Sequence, residues 1–163
     1  MKSAPTLPPR SPEEQTRVEA AISDLFENKV VFNTALGIRV ESFDPARPTI
    51  GFDMQPILVG HYVYGQLHGG AIAAALDGAA GFALMVAIAE RYRHETAEQI
   101  VQRFARISTI DLRIDYLRPG IGQHFHASAR VNRMGGRIAS LQLQLENEHG
   151  TLIATGAAVF AVS

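Results

Sequence analysis

The chain has 163 residues, which suits one domain with a sizeable core. Its hydrophobic share of 47% and charged share of 19% exclude a disordered chain, and a net charge of −1 excludes a field built for nucleic acid or anionic lipid. Cysteine is absent, so disulfides and thiolate zinc ligands are excluded as well.

Met1–Arg10 contains three prolines and no apolar run long enough for a signal peptide, so it reads as a flexible tail on a cytoplasmic protein. Residues 11–163 read as a single domain. Ser11-Pro12-Glu13-Glu14 has the form of a helix start, with Ser11 as N-cap, Pro12 at the first position and Glu14 closing a capping box. Val18, Ala21, Ile22, Leu25 and Phe26 follow at helical spacing, predicting an amphipathic helix over 12–28. Two short strands are expected at Gly37–Asp44 and Pro48–Met54, around a turn at Pro45–Pro48. Pro56–Gln66 is a loop.

From Leu67-His68-Gly69-Gly70 onward the chain is apolar to Ala89, interrupted by one charge, Asp77. The stretch is long enough to span a membrane, but about half of it is Ala or Gly and a mid-span carboxylate is costly in lipid. A helix buried on all sides in a globular domain is the better reading. Asp77 must then be paired, hydrogen-bonded or protonated, either as a structural group or as a catalytic carboxylate. Glycines at the helix start permit close approach to its exposed N–H groups, where an oxyanion could sit.

Arg91–Arg106 is charged and carries a short helical pattern in Ala97, Ile100, Val101 and Phe104. The period then becomes two: Ile110, Leu112, Ile114 and Tyr116; Phe125, Ala127, Ala129 and Val131; Ala139, Leu141, Leu143 and Leu145. Leu152–Val162 adds an almost wholly apolar strand. The connections Arg118–Gly122, Met134–Gly136 and Glu148–Gly150 are short, which predicts that the last four strands form a meander. The sum is α+β: one long apolar helix against an antiparallel sheet of five or six strands.

The order of these features, Leu67-His68-Gly69-Gly70, Asp77 nine positions after His68, and a strand ending Asp115-Tyr116-Leu117-Arg118-Pro119-Gly120, resembles the PaaI-type hotdog thioesterases, and within them the YigI-like acyl-CoA thioesterases. The likeness runs from about Phe32 to Val162. It implies a central helix wrapped by the sheet, homodimers with shared active sites or dimers of dimers, and acyl-CoA as substrate, with medium or long acyl chains expected. No cofactor is implied. It also implies that Asp77 acts as nucleophile or as the base that activates water, that the Gly69 N–H polarises the thioester carbonyl with His68 shaping the site beside Gly70, and that Thr109 helps hold the water. Strict alternation, however, puts Thr109 on the Asp111 face. Coenzyme A is implied to lie along Tyr116–Gly120 (Tyr116, Arg118, Pro119, Gly120) and Arg133–Ile138 (Arg133, Gly135, Gly136, Arg137). One departure stands out: many members carry Asn or Gln six positions before the His, whereas this chain has Tyr62 there, with His61 beside it. Either His61 substitutes through a shifted loop or the assistance is absent.

Residue chemistry leaves other readings open. His68 alone is a helix-start histidine bonded to backbone, and the arginines near turns are either solvated or grip phosphates. His124 and His126 lie two apart on one strand face, a spacing that suits metal, but no third ligand is evident along the chain, so no metal is expected. His94 and His149 read as loop residues, and no P-loop or dinucleotide fingerprint occurs. A non-catalytic acyl-CoA-binding protein and a hotdog dehydratase are the rival functions. The dehydratases pair a His with a Glu on the helix, where this chain offers Asp77.

Overall fold

The computed structural model describes residues 8–163. The first seven residues of the expected tail lie outside the described residues. Arg10, also assigned to that tail, is docked: its guanidinium donates to the carbonyls of Ala89 and Tyr92. Ser11 caps helix α1 (Pro12–Asp24) by accepting from the Glu14 N–H at 3.2 Å. Only this half of the expected capping box forms, because the Glu14 carboxylate instead accepts from the Ala97 N–H at 2.8 Å. The helix widens into a π turn (Leu25–Lys29) and is followed by a short helix, α2 (Val31–Leu36), that no periodicity announced. Gly37, with φ +71°, ends α2 in the left-handed conformation that glycine adopts freely. It therefore does not begin a strand. Strand β1 is Arg39–Ser42 and β2 is Thr49–Asp53. The loop before the long helix contains a 3₁₀ turn (Pro56–Leu58) and a small hairpin of β3 (Val59–His61) and β4 (Gln66–Leu67).

Helix α3 (Gly69–Arg91) is long and apolar enough to cross a membrane by composition, but 72% of its most apolar window is buried inside the protein. It is the core helix of the domain. Leu76, Phe82, Leu84 and Met85 are wholly buried, and each such side chain contributes ~1.5–3 kcal/mol of transfer free energy. Helix α4 (Ala97–Phe104) starts with a complete capping box between Thr96 and Gln99. Just before it, Glu95 forms a two-pronged pair with Arg103, whose guanidinium lies 3.5 Å from the centre of the Tyr92 ring. Hydrogen bonds from Arg103 hold the Glu95 carboxyl below its ordinary value of 4.5.

Strands β5 (Ser108–Tyr116), β6 (His124–Met134), β7 (Ile138–Asn147) and β8 (Leu152–Ala161) complete the sheet. The six long strands are antiparallel in the order β1-β2-β6-β7-β8-β5, packed around α3 in the α+β hotdog arrangement. The expected meander holds for β6-β7-β8 only. Strand β5 leaves β6 and pairs with β8 at the far edge. The apolar β8 thereby gains a neighbour on both sides, as a strand of that composition requires. The connection from β5 to β6 crosses three strand spacings, ~14 Å, which the seven residues 117–123 can span. On the way it packs onto the helix start, where the Leu67 N–H donates to the Gly120 carbonyl at 2.9 Å.

Candidate active site

Asp77 stands half-buried on the face of α3 that also presents Ala74, Gly78 and Gly81. These positions recur at i, i+3, i+4 and i+7, so one helix stripe carries a carboxylate among small residues. Small side chains leave room in front of the helix. A cleft of about 210 Å³ opens there, walled by Phe26, Phe32, Phe104, Ile107 and Phe160.

Thr109 donates its hydroxyl to Asp77 Oδ1 at 2.8 Å. Strict alternation had turned it away. A β-bulge at Ile110 resolves the difference: Thr109 pairs with Phe160 and Asp111 with Val159, so one extra residue sits between them. The bulge turns Thr109 onto the helix side with Leu112 and Ile114, and leaves Ile110 57% exposed.

The second group forms at the N-terminus of α3. His68 is the N-cap, and its Nδ1 accepts from the Gly70 N–H at 2.8 Å. This is the backbone-bonded role of a helix-start histidine, and it leaves the neutral ring with its proton on Nε2. With the Gly70 N–H engaged, the Gly69 N–H makes no hydrogen bond to any described residue. Tyr116 donates its hydroxyl to the Gly69 carbonyl at 3.0 Å and so holds the end of β5 on the helix start. Arg118 is tied back to β8 through the Leu152 carbonyl at 2.9 Å, and the Ile121 N–H donates to the Pro119 carbonyl.

These groups do not converge within one chain. Gly69 and Asp77 are eight residues apart on α3, ~12 Å along the axis. The β6–β7 hairpin with Arg133, Gly135, Gly136 and Arg137 lies at the other end of the helix, where Arg91 donates to the carbonyls of Met134 and Gly135. The two segments implied for coenzyme A are therefore separated by most of the 23-residue helix, ~33 Å. Arg133, Gly135 and Arg137 do share one surface hollow with Ile138 and Ser140.

His61 and Tyr62 are exposed in the β3–β4 hairpin, stacked with ring centres 5.9 Å apart, and Tyr64 packs on His61 at 4.8 Å. No hydrogen bond joins His61 or Tyr62 to His68 or Asp77 among the described residues. Asn33 belongs to the cleft and was missed: it is 6% exposed and donates to the Phe26 carbonyl at 3.1 Å. The signal was a lone amide within Val30-Val31-Phe32-Asn33.

A family model for the thioesterase superfamily matches residues 64–154. The medium/long-chain acyl-CoA thioesterase YigI of Salmonella typhimurium is 38% identical over 141 residues, covering 86% of this chain and 91% of that protein. A crystal structure from Shewanella oneidensis, described as related to the thioesterase superfamily, is 32% identical with a TM-score of 0.85, covering 94% of this chain and all of that one. The PaaI protein of the Escherichia coli phenylacetic acid degradation operon shares the fold at 18% identity, with a TM-score of 0.70 over 92% of this chain and 96% of its own. Fold and relatives agree, and the chain belongs to the thioesterase superfamily, as a YigI-like member of its hotdog enzymes.

Proposed function

We propose that the protein hydrolyses acyl-CoA thioesters of medium or long chain length, with Asp77 as the carboxylate that attacks the thioester or activates water. The observation that carries this reading is the one ionisable residue of α3 before its last turn, hydrogen-bonded by Thr109 and lining an apolar cleft. The cleft's phenylalanines suit an aliphatic chain. The relatives named for medium- and long-chain acyl-CoA support the same substrate class.

The reaction also needs a donor at the carbonyl oxygen, and the Gly69 N–H is the candidate. Two copies of α3 packed antiparallel about a two-fold axis would bring the partner's Gly69 to Asp77 and generate two equal sites. Each site would take Asp77 and Thr109 from one subunit, and His68–Gly70 with Tyr116–Gly120 from the other. Strand β5 supports this arrangement, because it is a nine-residue edge with unpaired backbone groups and an exposed Ile110 beside Thr109.

Turnover measured over a panel of acyl-CoA chain lengths tests the activity, and complementation tests the shared site. Asp77→Asn mixed with a chain carrying Gly69→Trp yields mixed dimers with one undamaged site, so activity returns. No hydrolysis by the wild type of any acyl-CoA would overturn the reading, and no recovery in verified mixed dimers would overturn the composite site.

A further inference from the structure

The outer face of the sheet carries a second cluster of chemistry that hydrolysis does not use. His124 and His126 project from β6 on the side opposite Phe125 and Ala127, whose side chains are buried under α3. The third group that chain spacing did not supply comes from β1. Glu41 Oε1 lies 2.6 Å from His124 Nε2, and Glu41 Oε2 lies 2.6 Å from His126 Nδ1.

Three features of the fold build this meeting. Strand β2 lies between β1 and β6, so a side chain from β1 must cross it. Residue 51, opposite His126 in β2, is glycine, and a Cβ there would fall 1.9 Å from Glu41 Oε1 and 2.9 Å from His124 Nε2. Any other residue would close the crossing. Second, Val40 pairs with Ile50 and Ser42 with Thr49, which leaves Glu41 as the extra residue of a β-bulge. Bulges re-aim side chains. Third, His124 Nδ1 is 2.6 Å from Asp53 Oδ1, and Asp53 is itself bonded by Arg39 at 2.8 Å. A carboxylate on the far nitrogen fixes the tautomer and the ring orientation, leaving Nε2 to face Glu41.

We propose that Glu41, His124 and His126 bind a divalent transition-metal ion, zinc in the first instance, with Asp53 as the outer carboxylate that orients His124. The candidate donor atoms of the three residues all lie within 4.8 Å of one another. Tetrahedral zinc with bonds of ~2.1 Å separates its donors by about 3.4 Å, so with one Glu41 oxygen as donor its 2.6 Å contact opens by less than an ångström and the wider pairs, all within 4.8 Å, close by at most about 1.4 Å. Two imidazoles and a carboxylate suit zinc, nickel or copper, whereas magnesium and calcium prefer oxygen alone. Three protein ligands leave a fourth position for water or a further ligand. The ion would fasten the edge strand β1 across β2 onto β6.

Calorimetric titration of Zn²⁺ into the tag-free, chelator-treated full chain tests this. The expected result is one ion per chain, with the thermal unfolding midpoint raised by zinc. Glu41→Gln, His124→Ala and His126→Ala should each abolish that binding while far-UV circular dichroism shows the fold retained. Asp53→Asn keeps every ligand and should weaken affinity by ~10–100-fold. Gly51→Ala also keeps every ligand and should weaken it by displacing Glu41. Asp77→Asn should bind zinc as the wild type does, which separates this site from the hydrolytic one. No zinc binding by the wild type, or wild-type zinc affinity retained in Glu41→Gln and His126→Ala, would overturn the proposal.

Discussion

Replacing the carboxylate at position 77 is the most direct test of the proposed hydrolytic site. Asp77→Asn preserves shape and the helix, since the residue is half-buried in the cleft lining rather than packed in the core. Losing a positioned acid–base group costs ~10²–10⁴ in rate, equivalent to ~2.7–5.4 kcal/mol of transition-state stabilisation. Thr109→Val removes the hydroxyl that bonds Asp77 at 2.8 Å and changes little in volume. A hydrogen bond to a charged group is worth ~1.5–3 kcal/mol, and the exposure of Thr109 places its loss toward the lower end. Thr109→Val should therefore lower kcat by ~10-fold. If the hydroxyl acts through the carboxylate, the double variant should be no slower than Asp77→Asn alone, because the two groups work as a unit. Initial rates of thiol release from a long-chain acyl-CoA, with matched circular dichroism spectra, supply all four corners of the cycle. Wild-type turnover in Asp77→Asn, or strictly multiplicative losses in the double variant, would refute the reasoning.

Gly81 opens the cleft opposite Phe26, where an added Cβ would stand 3.7 Å from the ring, so Gly81→Leu should shorten the longest acyl chain turned over while leaving short-chain rates intact, read from the same chain-length panel. Arg133→Ala and Arg137→Ala should raise KM for acyl-CoA with little change in kcat, since phosphate contacts are alike in ground and transition states; an unmoved KM in both would place the phosphate grip elsewhere. Glu95 is held below its ordinary value of 4.5 by Arg103, so its contribution to stability is fully present above that pH and is lost as pH falls through the lowered folded-state value. Glu95→Gln should cost ~1–2 kcal/mol at pH 7, and urea melts should show the deficit shrinking as the pH is taken below 4.5.

Long-range order in this chain follows from local pattern wherever one period runs uninterrupted. The apolar run ending at Ala89 reads as a buried helix once its Ala and Gly content and mid-run charge are weighed, and the alternation of Leu141, Leu143 and Leu145 with Gln142 and Gln144 reads as a strand with one wet face. Asp77 was conspicuous for the same reason: a charge inside such a run needs a partner. What the pattern could not carry was any feature created by a single inserted residue or by a neighbour distant in the chain. The bulge at Ile110 reverses the face of Thr109 and delivers it to Asp77, and the bulge at Glu41 aims a carboxylate over Gly51 at two histidines more than eighty positions away. The pairing of β5 with β8 is likewise a matter of which edge can satisfy an apolar strand on both sides, and connection length does not specify that. A side-chain period of two records which residues share a face only while the register is unbroken, so the placement of Thr109 and Glu41, which sit at the breaks, was decided by the tertiary structure.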